Sequence, residues 1–282
     1  MDGLILINKE QDWTSRDVCN VCQKRFSTKK VGHTGTLDPF ATGLLVVTIN
    51  KANKICQFMD DFPKTYVATL SLGKATDTLD LTGNVVLEKE VNEFSKEYVE
   101  EVLNSFKGEI EQIPPMTSAI HYKGRKLYEL HYEGISVERE ARKVYIHEIK
   151  LIEFKDNLIT FECQVSKGTY VRVLGEQIAE KLNTVGHLIA LQRTKIGNFS
   201  IENAIKINDV NKDYPLINIG EALSFLPTYT VDEEMIKKVK NGVKLYLNDI
   251  NDELVYIKDI HDTPLAIYIK ENGCYVCKRG LW

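Results

Sequence analysis

In the run Gly32-His33-Thr34-Gly35-Thr36-Leu37-Asp38-Pro39-Phe40-Ala41-Thr42-Gly43, one carboxylate stands in a loop whose other residues restrict the backbone. Three glycines permit positive φ or close approach, while Pro39 fixes its own φ and pushes Asp38 toward extended geometry. The apolar residues 44–49 that follow read as a buried strand, so the loop is anchored to the core and Asp38 is presented from it. A carboxylate displayed on such a loop can act as a nucleophile. Asp-Pro also opens ordinary turns, so the wider pattern has to decide.

That wider pattern resembles the GHxGTLDPxAxGxL motif of the TruB family of tRNA pseudouridine synthases, and further matches run from about Asn8 to Thr194. The resemblance implies cofactor-free isomerisation of uridine, in which the bond from uracil N1 to the ribose breaks and the base rejoins through C5. Asp38 then takes the nucleophile's role. A carboxylate drawn out of water stays charged only beside an opposite charge, and Ser166-Lys167-Gly168-Thr169-Tyr170-Val171-Arg172 resembles SKGTYxR, whose arginine pairs with that aspartate. An arginine opening a helix opposes the helix dipole, which also points to a specific partner for Arg172.

By the same resemblance Tyr66, in Lys64-Thr65-Tyr66-Val67-Ala68, stacks on the target base and accepts the proton from C5, and Tyr170 walls the uracil pocket. Leu72 to Gly83 matches LGxxTxTxDxxG and places Asp80 near the substrate. Leu191, in Leu191-Gln192-Arg193-Thr194, lines the pocket. A uracil hidden in folded RNA must be extruded, and His33 resembles the histidine that fills the vacated space. Lys9 belongs to a degraded xxKPxGxTS match, with Glu10 for proline and Asp12 for glycine, which puts the local loop shape in question. In Gln112-Ile113-Pro114-Pro115-Met116-Thr117-Ser118-Ala119, similar to QxPPxYSA, Thr117 replaces the tyrosine and any stacking by it.

The elements that must position these residues read as α+β: a largely antiparallel sheet flanked by helices, with a small β-rich C-terminal unit. Strands are expected over 3–8, 44–49, 64–72, 143–154, 158–165 and 187–194, with helices over 15–26, 51–59, 92–106, 127–132, 168–182 and 219–226. Pro227 marks a boundary, giving residues 1–226 as the pseudouridine synthase domain and 227–282 as a short PUA-like RNA-binding domain. Strands are expected there over 265–270 and 273–278.

With 282 residues, 43% of them hydrophobic, the chain can bury a sizeable core; no run approaches a membrane span, and the start lacks a signal-peptide pattern. A cytoplasmic monomer with no membrane contact and no obligatory protein partner is expected. A net charge of −4 argues weakly against nucleic acid, but local clusters (Lys24-Arg25 with Lys29-Lys30, Lys123 with Arg125-Lys126, Arg139 with Arg142-Lys143) allow one basic face. Cys19-Asn-Val-Cys22 and Cys274-Tyr-Val-Cys277 invite a zinc reading. The first pair falls at helical core spacing and the second in a strand, so reduced thiols and no metal are expected.

The sequence therefore predicts a tRNA pseudouridine synthase acting on the T-loop uridine, position 55, with the T-arm of tRNA as partner. Two other readings are weighed: a tRNA-binding folding factor without catalysis, and a metal hydrolase built on His33 and Asp38, which would lack a third ligand.

Overall fold

The computed structural model describes residues 1–247 and 249–282. The chain enters through β1 (Gly3–Lys9) and then α1 (Ser15–Arg25). Thr14 caps this helix: its hydroxyl accepts from the Asp17 amide while the Asp17 carboxylate accepts from the Thr14 amide. β2 (Val31–His33) and β3 (Thr42–Ile49) flank the Asp38 loop. The helix expected over 51–59 is a 3-10 turn followed by the single turn α2 (Cys56–Met59).

β4 (Lys64–Leu72), β5 (Lys74–Thr76) and β6 (Val85–Glu88) precede α3 (Lys96–Asn104). That helix starts four residues later than the apolar pattern suggested, because the Ser95 hydroxyl caps it by accepting from the Tyr98 amide. β7 (Gly108–Gln112), β8 (His121–Tyr122), β9 (Arg125–Lys126) and α4 (Leu127–Tyr132) lead into the hairpin of β10 (Arg142–Lys155) and β11 (Leu158–Val165). Asp156 and Asn157 make its turn, both at positive φ, as a two-residue connection demands.

α5 (Val171–Lys181) and β12 (Gly186–Ile196) complete the main frame, followed by β13 (Phe199–Ser200), β14 (Ile205–Lys206) and α6 (Ile219–Ala222). The tail holds β15 (Thr228–Val231), α7 (Glu233–Lys240), β16 (Leu254–Asp259), β17 (Pro264–Glu271) and β18 (Cys274–Gly280). α7 lies in a segment read from sequence only as strand-rich.

The main sheet runs β14-β1-β3-β12-β4-β11-β10-β7, with β2 on β3 and β13 on β12. It is antiparallel except at β1/β14 and β3/β12. The β3/β12 join is short, pairing only Gln192 with Thr42 and Arg193 with Gly43. Gly43 sits there at φ +105, and a Cβ on it would lie 2.3 Å from the Arg193 carbonyl oxygen, so no other residue fits the seam.

Helices α3 and α5 cover one half of the sheet, burying Val99, Leu174 and Ile178 with Leu70 and Phe161. On the other half α1 packs Val18, Cys19 and Cys22 against Ile5, Ile7, Leu45 and Val47. Burial pushes the two thiols up, Cys19 to about 11 and Cys22 to about 12, which keeps both protonated. Cys274, in β18, belongs to the tail's own sheet, β15-β16-β17-β18. This second sheet shares a core with the first: Tyr256, Ile267 and Leu281 pack with Leu4, Leu6, Val46 and Leu223. Among the described residues, no helix is long and apolar enough to cross a membrane.

Candidate active site

Asp38 lies in the loop between β2 and β3, on the wall of a cavity of about 340 Å³. The loop carrying it is tied down from several sides. The Ala41 amide donates to the Asp38 carbonyl, the Leu37 amide to Ser15 Oγ at 2.9 Å, and the Asp12 amide to the Pro39 carbonyl at 2.9 Å. Asp12 adopts φ +66, the left-handed conformation that a glycine would take freely and that aspartate tolerates. The replacement of glycine therefore leaves the local loop shape attainable.

Arg172 stands at the second position of α5, and its guanidinium reaches across the cavity floor. Nε is 2.9 Å from Asp38 Oδ2, and Nη1 is 3.4 Å from Asp80 Oδ2. Nη1 also donates to the Thr78 carbonyl at 2.8 Å and to Thr117 Oγ1 at 2.6 Å. The Asp38 side chain remains 35% exposed while that of Arg172 is 4% exposed, so the carboxylate faces the cavity and its counter-charge is hidden behind it. An ion pair of this form orients a nucleophile without covering it.

Tyr66 projects from β4, paired with Arg193 of β12 and Cys163 of β11, and lines the same cavity. Tyr170 and Leu191 are also in the wall. Tyr170 is held by Gln112, which is buried; its side chain accepts from the Tyr170 amide at 2.9 Å and donates to the Tyr170 carbonyl at 3.3 Å. Burial raises the Tyr170 phenol above its ordinary range.

Three residues singled out from the sequence lie outside the wall. Asp80 sits behind Arg172: its Oδ1 accepts from the Thr78 hydroxyl and from the Thr82 amide and hydroxyl, leaving Oδ2 for the guanidinium. Lys9 is fully buried and donates to the carbonyls of Glu10, Trp13 and Pro39, so it braces the Asp38 loop from beneath. Desolvation lowers its pKa to about 8, partly opposed by Asp38 and Asp12. His33, on β2, keeps a buried Nδ1 without a hydrogen-bond partner among the described residues, and burial first, then Arg193 and Arg16, pull its pKa below the usual imidazole range.

Three further contributions carried no signal of their own. Arg193, 1% exposed, donates to the carbonyls of Leu44, Thr36 and Gly35, clamping both ends of the Asp38 loop. It lies in the LxRT match, two residues after Leu191. Thr117, read as the loss of a tyrosine, instead offers Arg172 a hydroxyl acceptor. Lys64, two residues before Tyr66, also lines the cavity.

Residues 23–171 match the model of the TruB family pseudouridylate synthase N-terminal domain. The tRNA pseudouridine synthase B of Clostridium tetani is 44% identical over 248 residues, spanning 87% of this chain and 86% of that protein. That of Clostridium kluyveri is 40% identical over 275 residues, spanning 96% and 93%. Among solved structures, a Cbf5-Nop10-Gar1 complex and an H/ACA RNP bound to a substrate RNA containing 2′-deoxyuridine match with TM-scores of 0.76 and 0.75 at 22% identity. Each match covers 99% of this chain and 85% of the other, a likeness of fold.

Fold and family match together define a pseudouridylate synthase. The chain belongs to the TruB family.

Proposed function

We propose that this protein isomerises the T-loop uridine of tRNA, position 55, to pseudouridine, with Asp38 as the nucleophile and no cofactor, as a monomer in the cytoplasm. The observation that carries the reading is the Asp38–Arg172 pair, 2.9 Å apart, with the carboxylate turned into a cavity walled by Tyr66, Tyr170 and Leu191. Attack at uracil C6 and attack at ribose C1′ both start from the same carboxylate oxygen. In either case the N1–C1′ bond breaks, C5 bonds to C1′, the hydrogen on C5 leaves as a proton, and N1 gains one. Tyr66 is positioned to take the C5 proton, and Tyr170 and Leu191 hold the ring.

The base reaches this cavity only if it leaves its stack, and His33, kept neutral by burial, is suited to occupy the gap. Lys9 and Asp80 act at one remove, Lys9 through the Asp38 loop and Asp80 through Arg172. Lys24, Arg25, Lys29, Lys30 and Lys123 are exposed and available to phosphates, so T-arm binding weakens as salt rises. We divide the chain at Pro227, with residues 1–226 catalytic and the tail a PUA-like RNA-binding unit.

The test is incubation with unmodified tRNA and mapping of pseudouridine at each uridine. Modification confined to position 55, and lost when that uridine is replaced by cytidine, supports the reading. Tight binding with no modification anywhere favours a folding factor instead.

A further inference from the structure

Lys64 opens β4 with its side chain in the cavity wall and is 9% exposed. It lies two residues before Tyr66, on the same face of the strand. A Cβ placed on Gly35 would lie 3.8 Å from Lys64 Cε and 3.6 Å from Arg193 Nη1, so the loop bearing Asp38 passes over both cations.

The ammonium donates to the Asp60 carbonyl at 2.7 Å, and it has three donors. The charged groups facing it are Arg193 on β12, Asp60 and Asp61 in the turn before β4, and Lys167 in the loop after β11. Both of those carboxylates are taken by Lys167, at 4.0 and 3.2 Å. Lys64 is thus a buried cation at the edge of a nucleotide-sized cavity, with Asp60 and Asp61 near enough to favour its charge but neither in ion-pair contact with it among the described residues. Burial and then Arg193 bring its pKa down to about 8.

We propose that Lys64 is a substrate-binding residue whose ammonium takes a non-bridging oxygen of a phosphate flanking the extruded uridine. The inference rests on the isomerase reading of the same site. The uracil ring is served by Tyr66, Tyr170 and Leu191 and the reacting carbon by Asp38, whereas Lys64 stands at the strand's end, beside the rim loop of Lys167. An extruded nucleotide brings its two phosphates to that rim. A desolvated ammonium gains more from an anion than an exposed lysine would.

The experiment is a cycle of binding measurements with a T-arm stem-loop RNA carrying the natural phosphates, or one neutral methylphosphonate linkage on either side of the target uridine. Lys64→Met is expected to weaken binding of the natural RNA about tenfold, and Lys64→Arg to stay within about threefold. The neutral linkage on one side is expected to weaken the wild type by a similar factor and to add nothing to Lys64→Met. No loss in Lys64→Met, or losses that multiply at both linkages, would overturn the assignment.

Should Lys64→Met fail to fold, the wild type alone suffices. Its affinity for the natural RNA is expected to fall between about pH 7 and about 8.5, as Lys64 loses its proton, more steeply than its affinity for the RNA with the critical linkage neutral. Equal pH dependence for all the RNAs would overturn the assignment. Release of tritium from C5 of the natural RNA by the wild type is read in parallel. Absence of release defeats the isomerase reading itself, while release with multiplying losses defeats only the role of Lys64.

Discussion

Two arginines in this molecule are buried almost equally, Arg172 at 3% and Arg193 at 1% exposure, yet they are partnered in opposite ways. Arg172 lies between two carboxylates, Asp38 and Asp80, and its field is directed at the group that faces the cavity. Arg193 has backbone carbonyls of Gly35, Thr36 and Leu44 as its hydrogen-bond acceptors and holds the chain that carries that group. Lys9 repeats the second pattern from below, on the carbonyl of Pro39. One cation sets the orientation of a carboxylate; the others set the position of its loop. Removing the first is therefore expected to cost rate, and removing the others to cost stability.

Arg172→Met breaks the comparison on the catalytic side. It is expected to lower turnover by about 10³-fold, roughly 4 kcal/mol of barrier, with RNA affinity nearly kept; single-turnover rates and binding measured together check this. Arg172→Lys is expected to rescue little, because an ammonium cannot serve Asp38, Asp80, Thr78 and Thr117 in one plane. Arg193→Met breaks the other side. It removes the donor to the buried Leu44 carbonyl and to the part-buried carbonyls of Gly35 and Thr36 and is expected to cost about 3 kcal/mol of folding stability in urea titrations, with turnover following the folded fraction. An Arg193→Met protein of normal stability but no activity would erase the distinction.

Lys9 sharpens the comparison through pH. Its folded pKa, about 8, lies below the ordinary lysine value of 10.5, so between those limits the unfolded chain binds more protons and stability rises with pH. Lys64 has the same shift and the same sign. The buried thiols of Cys19 and Cys22, held protonated in the folded chain, contribute with the opposite sign over the same range, so the change in stability between about pH 7.5 and about pH 9.5, read by urea unfolding, is expected to be less favourable in Lys9→Met than in the wild type. The smallest effect belongs to Thr117→Val, which removes one acceptor from Arg172 while leaving its carboxylates. A loss of about threefold to tenfold in turnover is expected, restored by Thr117→Ser.

The framework of this division was largely legible in the sequence. The strands at 64–72 and 158–165 and the helix at 127–132 have the bounds that alternation and apolar spacing give, because each is set by one buried face. Gly35, Asp38, Tyr66, Tyr170 and Leu191 meet at one cavity, and Arg172 reaches Asp38 as expected. What pattern could not give is direction. Lys9 and Asp80 stand in the right segments but point away from the cavity wall, since a side chain's aim depends on which carbonyls or hydroxyls the fold leaves beside it.

Arg193 and Thr117 escaped for the same reason. Their value comes from partners 149 and 55 residues away along the chain, which no local spacing encodes. α7 was missed because Glu233–Lys240 is short and its apolar face is small, with Val239 its buried residue; the Asp232 cap, accepting from the Met235 amide, was its clearest signal.

The claim on which all of this depends is that the Asp38 carboxylate, and not merely the cavity around it, performs the reaction. It is tested most directly by tritium release from tRNA labelled at uracil C5, comparing the wild type with Asp38→Asn, a change that keeps the side chain's shape and removes its charge. The wild type is expected to release tritium and Asp38→Asn to release none above background, while binding tRNA within about tenfold of the wild type, roughly 1.4 kcal/mol. Tritium release by Asp38→Asn at an undiminished rate would contradict the account.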